Sequence, residues 1–312
     1  MSKSGAFTNP RQEIGRELSG DVLEIGPGND PFPTGSGARV LFADKAVKGG
    51  RDYVWPELIG HPKGPQSDFN IDLDTNGLTG IESESFDAVI ASHLIEHLAN
   101  PIAALCEFDR VLRVGGQLVL IVPNRTRTFD APRPGTTMAH LFDEFHRVVT
   151  RVDDDHIREF CEAIYSQAPI HPPQVREWHN PARLDKELFD LHRLRSIHAH
   201  CWTPEEFAVL IAGILAAGLV GWSLKSLYFA GIEFGLVLTK SRVENRQLQS
   251  VQFASDWAKL VLGNERQNPR RLAAFGRAVA RDLADAKNLA EYVGLLCDQL
   301  AEHASNPSKP PG

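Results

Sequence analysis

The sequence predicts an α/β fold: a doubly wound, mostly parallel sheet with an antiparallel last strand, a helical insertion and a helical C-terminal tail. Three observations support this prediction. Short apolar runs alternate with a segment of helical periodicity, as in the strand-helix-strand units of parallel sheets. Two later apolar runs are separated only by Ala230 and Gly231, which is typical of an antiparallel hairpin. Beyond Lys240 the sequence is rich in Arg, Glu, Ala and Leu, which favours helix.

Buried parallel strands are predicted from short apolar runs bounded by turn residues. They cover residues 21–25, 39–43, 86–91 and 117–122, and a further strand is expected within residues 68–74. Apolar residues recur every three or four positions over residues 95–112, which predicts a helix there. Thr203 and Glu206 form a capping-box pattern with Pro204 at the first helical position, so a helix is predicted from Thr203 to Gly218. Residues 219–229 and 232–240 are the predicted hairpin strands.

Composition restricts the function classes. The 312 residues are 42% hydrophobic and 23% charged, which is typical of a globular protein with a sizeable core. The net charge of -7 makes nucleic acid an unlikely partner, because phosphate-binding surfaces are basic. Four scattered cysteines without a CxxC pair, and an N-terminus without a signal peptide, predict a cytoplasmic location. No membrane span is predicted, because the apolar run 207–222 is short and interrupted by glycines.

The chain is predicted to have three parts. Residues 1–123 and 201–241 form the core domain, and residues 242–312 form the helical tail. Residues 124–200 form an insertion that holds eight of the 12 histidines, and we expect it to act as a substrate lid. An apolar seam from Leu272 to Leu300 predicts a homodimer through the C-terminal helices, with packing on the chain's own core as the alternative.

A glycine-containing loop follows the first strand and indicates a nucleotide-type ligand. Gly26 and Gly28 let a ligand approach the backbone closely. A dinucleotide would need a third glycine and a helix N-terminus for its pyrophosphate, but position 31 is Pro and residues 29–38 are rich in Pro and Gly. S-adenosylmethionine carries no phosphate and is therefore favoured. Asp44, after the second strand, is positioned to accept ribose hydroxyls, and Asp72 to meet the adenine amino group.

Several segments together resemble a known family. LEIGPG, Asp44, IDLD, FDAVIASHLIEHLANP and RVLRVGGQLVLIVPN are similar to class I S-adenosylmethionine-dependent methyltransferases of the broad methyltransferase-11 type, which have a Rossmann-like fold. The resemblance covers residues 20–124 and 202–240. It implies S-adenosyl-L-methionine as cofactor, bound by Glu24, Gly26, Gly28, Asp44, Asp72, Leu73 and Ser92. Asp30 stands where the family often has a third glycine, and the first helix of the family is not predicted here.

The segment His93-Leu94-Ile95-Glu96-His97 allows three interpretations. A zinc peptidase motif is disfavoured, because the segment follows a strand of a parallel sheet. A metal-assisted methyltransferase is possible, since small-RNA 2'-O-methyltransferases resemble the segment at Glu96 and His97, with His93 in place of their first acidic ligand. A histidine from the insertion, such as His140, would then be a further ligand. Packing and hydrogen-bonding roles are favoured, so no metal ligand is assigned.

His93 follows the fourth strand at the ligand-binding edge and is the first candidate for a catalytic general base, with His140 the next. The segment lacks the Asn/Asp-Pro-Pro-aromatic pattern of amino-methyltransferases, which favours an oxygen acceptor. Three arginines just past the fifth strand could clamp an anionic acceptor, namely Arg125, Arg127 and Arg133.

The sequence thus predicts an S-adenosylmethionine-dependent methyltransferase that O-methylates a small polar or sugar-type acceptor, either a small molecule or a glycan. Two alternatives remain. One is a noncatalytic cofactor-binding protein that acts through its helical tail, and the other is the metal-assisted methyltransferase.

Overall fold

The computed structural model describes residues 9–45, 60, 63–167, 173–242, 246–262, 274, 277 and 278. Seven strands in these residues form one sheet in the order β3-β2-β1-β4-β5-β7-β6. The strands are β1 (Gly20–Ile25), β2 (Ala38–Asp44), β3 (Phe69–Asn70), β4 (Phe86–Ser92), β5 (Leu112–Pro123), β6 (Trp222–Ala230) and β7 (Glu233–Lys240). β7 is antiparallel to β5 and β6, and the pairings among β1 to β5 are parallel. The predicted Rossmann-like architecture is confirmed.

The described helices are distributed along the whole chain. They are α1 (Pro10–Glu17), α2 (Leu73–Asn76), α3 (Pro101–Val111), α4 (Met138–His146), α5 (Asp154–Tyr165), α6 (Pro173–Trp178), α7 (Lys186–Arg195), α8 (Pro204–Ala217) and α9 (Arg246–Leu262). Short 3₁₀ turns cover Ile95–His97, Arg125–Arg127 and Pro181–Arg183. None of the helices in the described ranges is long and apolar enough to span a bilayer.

Both faces of the central strands are buried, which explains why their sequences are continuous apolar runs. Successive side chains of a strand point to opposite faces. In β4, Val89 and Ala91 belong to the hydrophobic cluster on one face, whereas Ala88 and Ile90 belong to the cluster on the other. The central strands are therefore covered on both faces, as the predicted doubly wound sheet requires.

The predicted helix over residues 95–112 is only partly correct. Residues 95–97 form a 3₁₀ turn, and the α-helix begins at Pro101. The Asn100 side chain accepts a hydrogen bond from the Ala103 N–H at 3.1 Å and caps this helix. Proline disfavours the helical conformation in the residue that precedes it, so a continuous helix across this point is excluded. Apolar periodicity alone did not reveal this break.

The predictions for the last part of the core are confirmed with small shifts. Thr203 and Glu206 form the capping box, and α8 ends at Gly218 in the left-handed conformation. The hairpin strands turn at Gly231, which has a φ of +57°. β5 is longer than expected because the strand begins at Leu112 and continues through Gly115 and Gly116.

The loop between β1 and β2 contains no helix, as the sequence predicts. Helix α1 packs on this loop instead. Gly35 donates its N–H to the Gly15 carbonyl at 2.9 Å, and a Cβ built on Gly15 would lie 1.7 Å from the Pro33 oxygen. Only glycine permits this approach. The N-terminal helix is therefore joined to the loop that follows the first strand.

The insertion and the tail differ in how they are packed. The insertion has its own hydrophobic cluster, which includes Ile157, Phe160 and Cys161. The described part of the tail, α9, packs on the core domain through Phe253 and Trp257, each 1% exposed. Most of the predicted seam from Leu272 to Leu300 lies outside the described residues, so the homodimer stays a prediction.

Candidate functional site

The candidate site lies at the carboxyl edge of the parallel strands, where ligands of doubly wound sheets bind. The backbone leaves β1 through Gly26 and Gly28, which have φ values of +64° and +59°. Residues with a side chain rarely adopt this backbone conformation. A Cβ on Gly26 would also lie 3.1 Å from Leu94 Cδ1. The loop therefore presents bare backbone at this edge, which fits a ligand that approaches the chain closely.

Glu24 organises the loop from within. It is 1% exposed, and its Oε1 accepts the Phe32 N–H at 2.8 Å. The other oxygen, Oε2, is buried without a hydrogen-bond partner. Burial raises the pKa of Glu24 to about 7, although the Phe32 hydrogen bond opposes the shift. The predicted cofactor residue is thus also a structural link between β1 and the loop.

Asp44, Asp72 and Leu73 come together at the same edge because β2 and β3 pair in parallel there. Asp44 ends β2, and its Oδ1 accepts the Lys45 N–H at 2.8 Å. The Asp72 side chain caps α2 by accepting the Asp74 N–H at 3.2 Å, and it forms an ion pair with Lys45 Nζ at 2.7 Å. Leu73 is the first residue of α2. Their predicted roles in cofactor binding stay predictions.

His93 follows β4 in a strained conformation, with a φ of +51°. For a residue other than glycine this value costs free energy, and such strain is concentrated at functional sites. Its Nε2 lies 2.8 Å from Glu233 Oε2 at the start of β7, 140 residues away in sequence. The opposite ring nitrogen, Nδ1, is 3.7 Å from Glu96 Oε1, too far for a hydrogen bond. If Nε2 carries the proton, Nδ1 keeps a lone pair.

Arg11 of α1 completes this arrangement. Its guanidinium donates two hydrogen bonds of 2.9 Å to Glu233 and one of 3.1 Å to Ser92 Oγ. The Tyr228 hydroxyl donates a third hydrogen bond, to Glu233 Oε1 at 3.0 Å. Burial alone would raise the pKa of Glu233, but the hydrogen bonds from His93, Arg11 and Tyr228 lower it to about 2. Glu233 is therefore an ionised acceptor that holds the His93 ring.

A second buried carboxyl group, that of Glu96, lies beside His93. Glu96 is 1% exposed, and neither of its oxygens has a hydrogen-bond partner. His97 Nε2 is 3.8 Å from Oε1, and His198 brings a third potential ligand atom to the group. His97 Nδ1 lies 3.0 Å from the Ile197 carbonyl, and His198 Nδ1 lies 2.7 Å from Asp130. Glu96, His97 and His198 could hold a cation, because anchoring one ring nitrogen leaves the other available.

His140 is not the histidine that joins this group. The structure places it in the insertion with Glu144, His156 and His200, whereas His198 is the histidine beside Glu96 and His97. The insertion histidine that the metal-assisted interpretation needs is therefore His198 and not His140. His140 lies on α4, which packs on the hydrophobic cluster of the core through Met138, Leu141 and Phe142, whereas the segment after α7 brings His198 to the edge.

The predicted arginine clamp is also wrong for two of its members. Arg125 forms a two-pronged pair with Glu206, with distances of 2.8 and 2.9 Å. Arg133 is 3% exposed and donates to Asp130, Glu159 and two backbone carbonyls. Their donors thus stabilise the insertion. Arg127 is exposed.

Sequence reasoning missed Arg11, Glu233 and His198. A usable signal existed for Glu233, because an antiparallel strand begins where its parallel neighbours end. The pairing of Pro123 with Glu233 shows this geometry. Arg11 precedes the first strand and His198 belongs to no regular element, so neither had such a signal.

Comparison with known protein families finds a similarity to methyltransferases. Residues 62–120 match the model of a methyltransferase domain family. No curated protein matches this chain.

Solved structures with detectable similarity include two named as methyltransferases and one named as an alcohol dehydrogenase. A S-adenosylmethionine-dependent methyltransferase from Methanosarcina mazei is 14% identical over 75% of this chain and 98% of its own, with a TM-score of 0.38. A putative methyltransferase from Bacillus halodurans is 16% identical over 70% and 69%, with a TM-score of 0.34. A putative zinc-dependent alcohol dehydrogenase from Rhodobacter sphaeroides is 14% identical over 73% and 88%, with a TM-score of 0.43. All three scores lie below the level at which two chains are said to share a fold.

Proposed function

We propose that this chain, an S-adenosylmethionine-dependent methyltransferase by its family match and sheet architecture, methylates a hydroxyl oxygen of a small polar or sugar-type acceptor. His93 is the general base in this proposal. The observation that supports it most directly is the 2.8 Å contact between His93 Nε2 and the ionised Glu233 at the strand edge. A histidine held in this way by a carboxylate is suited to accept a proton at its other nitrogen.

The residues at the edge match the needs of the cofactor. Gly26 and Gly28 leave room at the backbone, and Asp44 brings a carboxylate to the end of β2, next to β1. Ser92 and Glu24 complete the set proposed to bind it, together with Asp72 and Leu73. When bound, S-adenosylmethionine supplies a methyl group on a positively charged sulfur, so the protein needs mainly to align the acceptor and remove its proton.

His93 and Glu233 divide the proton chemistry between them. In this proposal the acceptor O–H proton would pass to His93 Nδ1 while the acceptor oxygen takes the methyl group and the bond between the methyl carbon and the sulfur breaks. The products are the methyl ether, S-adenosylhomocysteine and a protonated His93. Glu233 stabilises the positive charge that forms on the ring and fixes which nitrogen is protonated. Glu233 is thus a positioning residue, and Arg11 keeps it ionised.

The insertion is suited to cover the acceptor. Its returning segment contacts the edge directly: the His200 N–H donates to the Glu96 carbonyl at 3.0 Å, and Arg125 donates its N–H to the Trp202 carbonyl at 2.9 Å. The insertion has a separate hydrophobic cluster, which gives a lid its own stability. We therefore keep residues 124–200 as the proposed substrate lid.

The location and partners are part of the proposal. Cys106, Cys161 and Cys201 are free in the described part of the chain, which is compatible with a reducing cytoplasm. The net charge of -7 makes a nucleic-acid acceptor unfavourable. A homodimer through the C-terminal helices remains an expectation.

The test is methyl transfer from isotopically labelled S-adenosylmethionine to a panel of sugars, polyols and cell-extract fractions, with the methylated atom located by mass spectrometry. We expect transfer to oxygen. His93→Ala should lower kcat by roughly 10²- to 10⁴-fold and leave S-adenosylhomocysteine affinity unchanged, because only proton removal is lost. His146→Asn on α4 is the matched histidine control and should retain activity. Transfer to nitrogen or sulfur alone, or a fully active His93→Ala, would contradict the proposal.

Metal-assisted methyl transfer is the second candidate, favoured by the unpartnered carboxylate of Glu96 beside His97 and His198. It predicts that Glu96→Gln abolishes turnover and that chelation does the same until a divalent ion is added. Tight cofactor binding without transfer to any acceptor would instead indicate the noncatalytic alternative, in which the tail acts as an interaction element.

A further inference from the structure

A cluster of four potential metal ligands lies inside the insertion, separate from the proposed active site. His140 and Glu144 are one helical turn apart on α4, so their side chains share a face. His156 comes from the first turn of α5, and His200 from the segment that precedes α8. The four ligand atoms all lie within 4.8 Å of one another. Three separate segments thus converge on one point.

The spacing of these atoms fits tetrahedral zinc coordination. His140 Nε2 is 3.3 Å from Glu144 Oε1, and His156 Nε2 is 3.5 Å from the same oxygen. The two imidazole nitrogens are 3.0 Å apart, and His200 Nε2 is 3.4 Å from Glu144 Oε2. Zinc bonds of about 2.0–2.1 Å in a tetrahedron place neighbouring ligand atoms roughly 3.3–3.4 Å apart. The spacings of His140 and His156 to Glu144 already match, and the wider separations in the cluster, up to 4.8 Å, would close when the ion binds.

The cluster also contains polar atoms that the protein leaves unpartnered. His200 is fully buried, and neither of its ring nitrogens makes a hydrogen bond of good geometry, although Nε2 lies 3.4 Å from Glu144 Oε2 and the Leu98 backbone is also close. Glu144 Oε2 is likewise buried without one, on a residue that is 2% exposed. Burying such groups unpaired is unfavourable, and a bound cation would satisfy both.

An outer carboxylate completes the pattern. Asp153 Oδ1 lies 2.7 Å from His156 Nδ1 and also accepts the His156 N–H at 2.9 Å. Histidines that bind metals usually donate their second nitrogen to such a carboxylate, which orients the ring and raises its basicity. His156 is therefore already held with Nε2 directed at His140 and Glu144.

We propose that His140, Glu144, His156 and His200 bind a structural zinc ion that fastens α4 and α5 of the insertion to the segment returning to the core. Three imidazoles with one carboxylate favour zinc over magnesium or calcium, which prefer oxygen ligands. Four protein ligands leave no open position in a tetrahedral site, as in structural rather than catalytic zinc centres. The proposal is independent of the proposed methyl acceptor, because its readouts are metal content and stability.

The experiment uses the full chain, purified without a metal-binding tag and analysed for metal by elemental mass spectrometry. We expect about one zinc per chain, removable by a strong chelator, with a fall in Tm that zinc reverses and magnesium does not. Cobalt should replace zinc and show the visible absorption of a tetrahedral ion.

Matched variants decide the location. Glu144→Gln and His200→Asn should each lose the zinc, whereas Asp143→Asn, the same type of change as Glu144→Gln but at the neighbouring exposed carboxylate, should keep it. Asp153→Asn should bind zinc roughly 10- to 100-fold more weakly, as expected for loss of an outer carboxylate.

A chain that takes up no zinc and gains no thermal stability from it would overturn the proposal. Zinc retained in both Glu144→Gln and His200→Asn, or zinc lost only in Glu96→Gln, would overturn it as well. If His200→Asn does not fold, the zinc content of Glu144→Gln alone decides whether the proposal holds.

Discussion

The sheet edge and the insertion both bury charged side chains, but they differ in how completely the protein satisfies the hydrogen-bonding capacity of these groups. In the insertion, Arg133 donates to Asp130, Glu159 and two carbonyls, so the guanidinium is satisfied by the protein itself. At the edge, Glu24 accepts one hydrogen bond and Glu96 accepts none. Fully paired charges such as Arg133 hold the structure together, whereas the incompletely paired carboxylates of Glu24 and Glu96 lie where we propose that the cofactor or a cation binds.

The insertion also holds buried polar atoms without a hydrogen-bond partner, among them Arg176 Nε and His192 Nδ1. Others belong to Glu144 and His200, which are far apart in sequence but meet in the fold. This is where we propose the zinc ion. At the edge, the opposite case is Glu233, whose carboxylate receives hydrogen bonds from His93, Arg11 and Tyr228. It positions a neighbour and is not expected to bind the cofactor itself.

The structural role of paired charges is tested most directly at Arg133. Arg133→Met should lower the free energy of unfolding by about 3–5 kcal/mol, because the buried Asp130 keeps only His198 and Thr128 as side-chain partners and two backbone carbonyls lose their donor. Denaturant unfolding measures this. S-adenosylhomocysteine affinity should stay unchanged.

Arg147→Met is the matched control, since Arg147 forms an exposed pair with Asp143 on α4, and it should change stability by less than about 0.5 kcal/mol. An unchanged stability of Arg133→Met together with a raised KM for the acceptor would restore the predicted anion clamp.

The incompletely paired carboxyl group of Glu24 should make the stability of the protein depend on pH. Its carboxyl pKa is raised from 4.5 to about 7 on folding, so the folded state binds the proton more tightly than the unfolded state. Stability is therefore lost as pH rises from 4.5 to 7, and the full deficit is present above pH 7. The shift corresponds to about 3 kcal/mol. Glu24→Gln keeps the acceptor for Phe32 and removes the charge.

We expect Glu24→Gln to be more stable than the natural chain at pH 8 by up to about 3 kcal/mol, with the difference vanishing towards pH 4.5. Unfolding curves of the ligand-free protein at several pH values test this. Glu82→Gln, at an exposed carboxylate, should behave like the natural chain. If Glu24→Gln is less stable than the natural chain at pH 8, the ionised carboxylate of Glu24 already has its hydrogen-bond partners, and the prediction is wrong.

Asp44 has the smallest expected effect, and it concerns binding rather than stability. Asp44→Ala should weaken S-adenosylhomocysteine binding by ~1.5–3 kcal/mol, the range for hydrogen bonds to a charged group, with little change in unfolding. Calorimetry measures the affinity. Asp256→Ala on α9 provides the control. Binding of NADH in preference to S-adenosylhomocysteine would contradict the assignment of the edge to this cofactor.

The architecture was predictable because it depends on local patterns. Apolar runs identified the central strands, since residues buried on both faces leave no polar positions in between. Thr203 with Glu206 identified the start of α8, because a capping box involves residues only three apart. The failure at residues 95–100 also has a local cause: the apolar period continues through Asn100 and Pro101, but the backbone cannot.

The sequence alone therefore determined the α/β class, the loop without a helix after β1 and the glycines of the candidate cofactor site, because these follow from near neighbours. Only the tertiary structure decided which side chains meet. Glu233 reaches His93 across 140 residues because β7 inserts next to β5 in the antiparallel direction. His140 and Glu144 share a helix face by local spacing, but they meet His156 and His200 because α4 packs on the core cluster while α5 packs on the cluster of the insertion. Such contacts depend on chain topology and packing, which no local spacing of residues encodes.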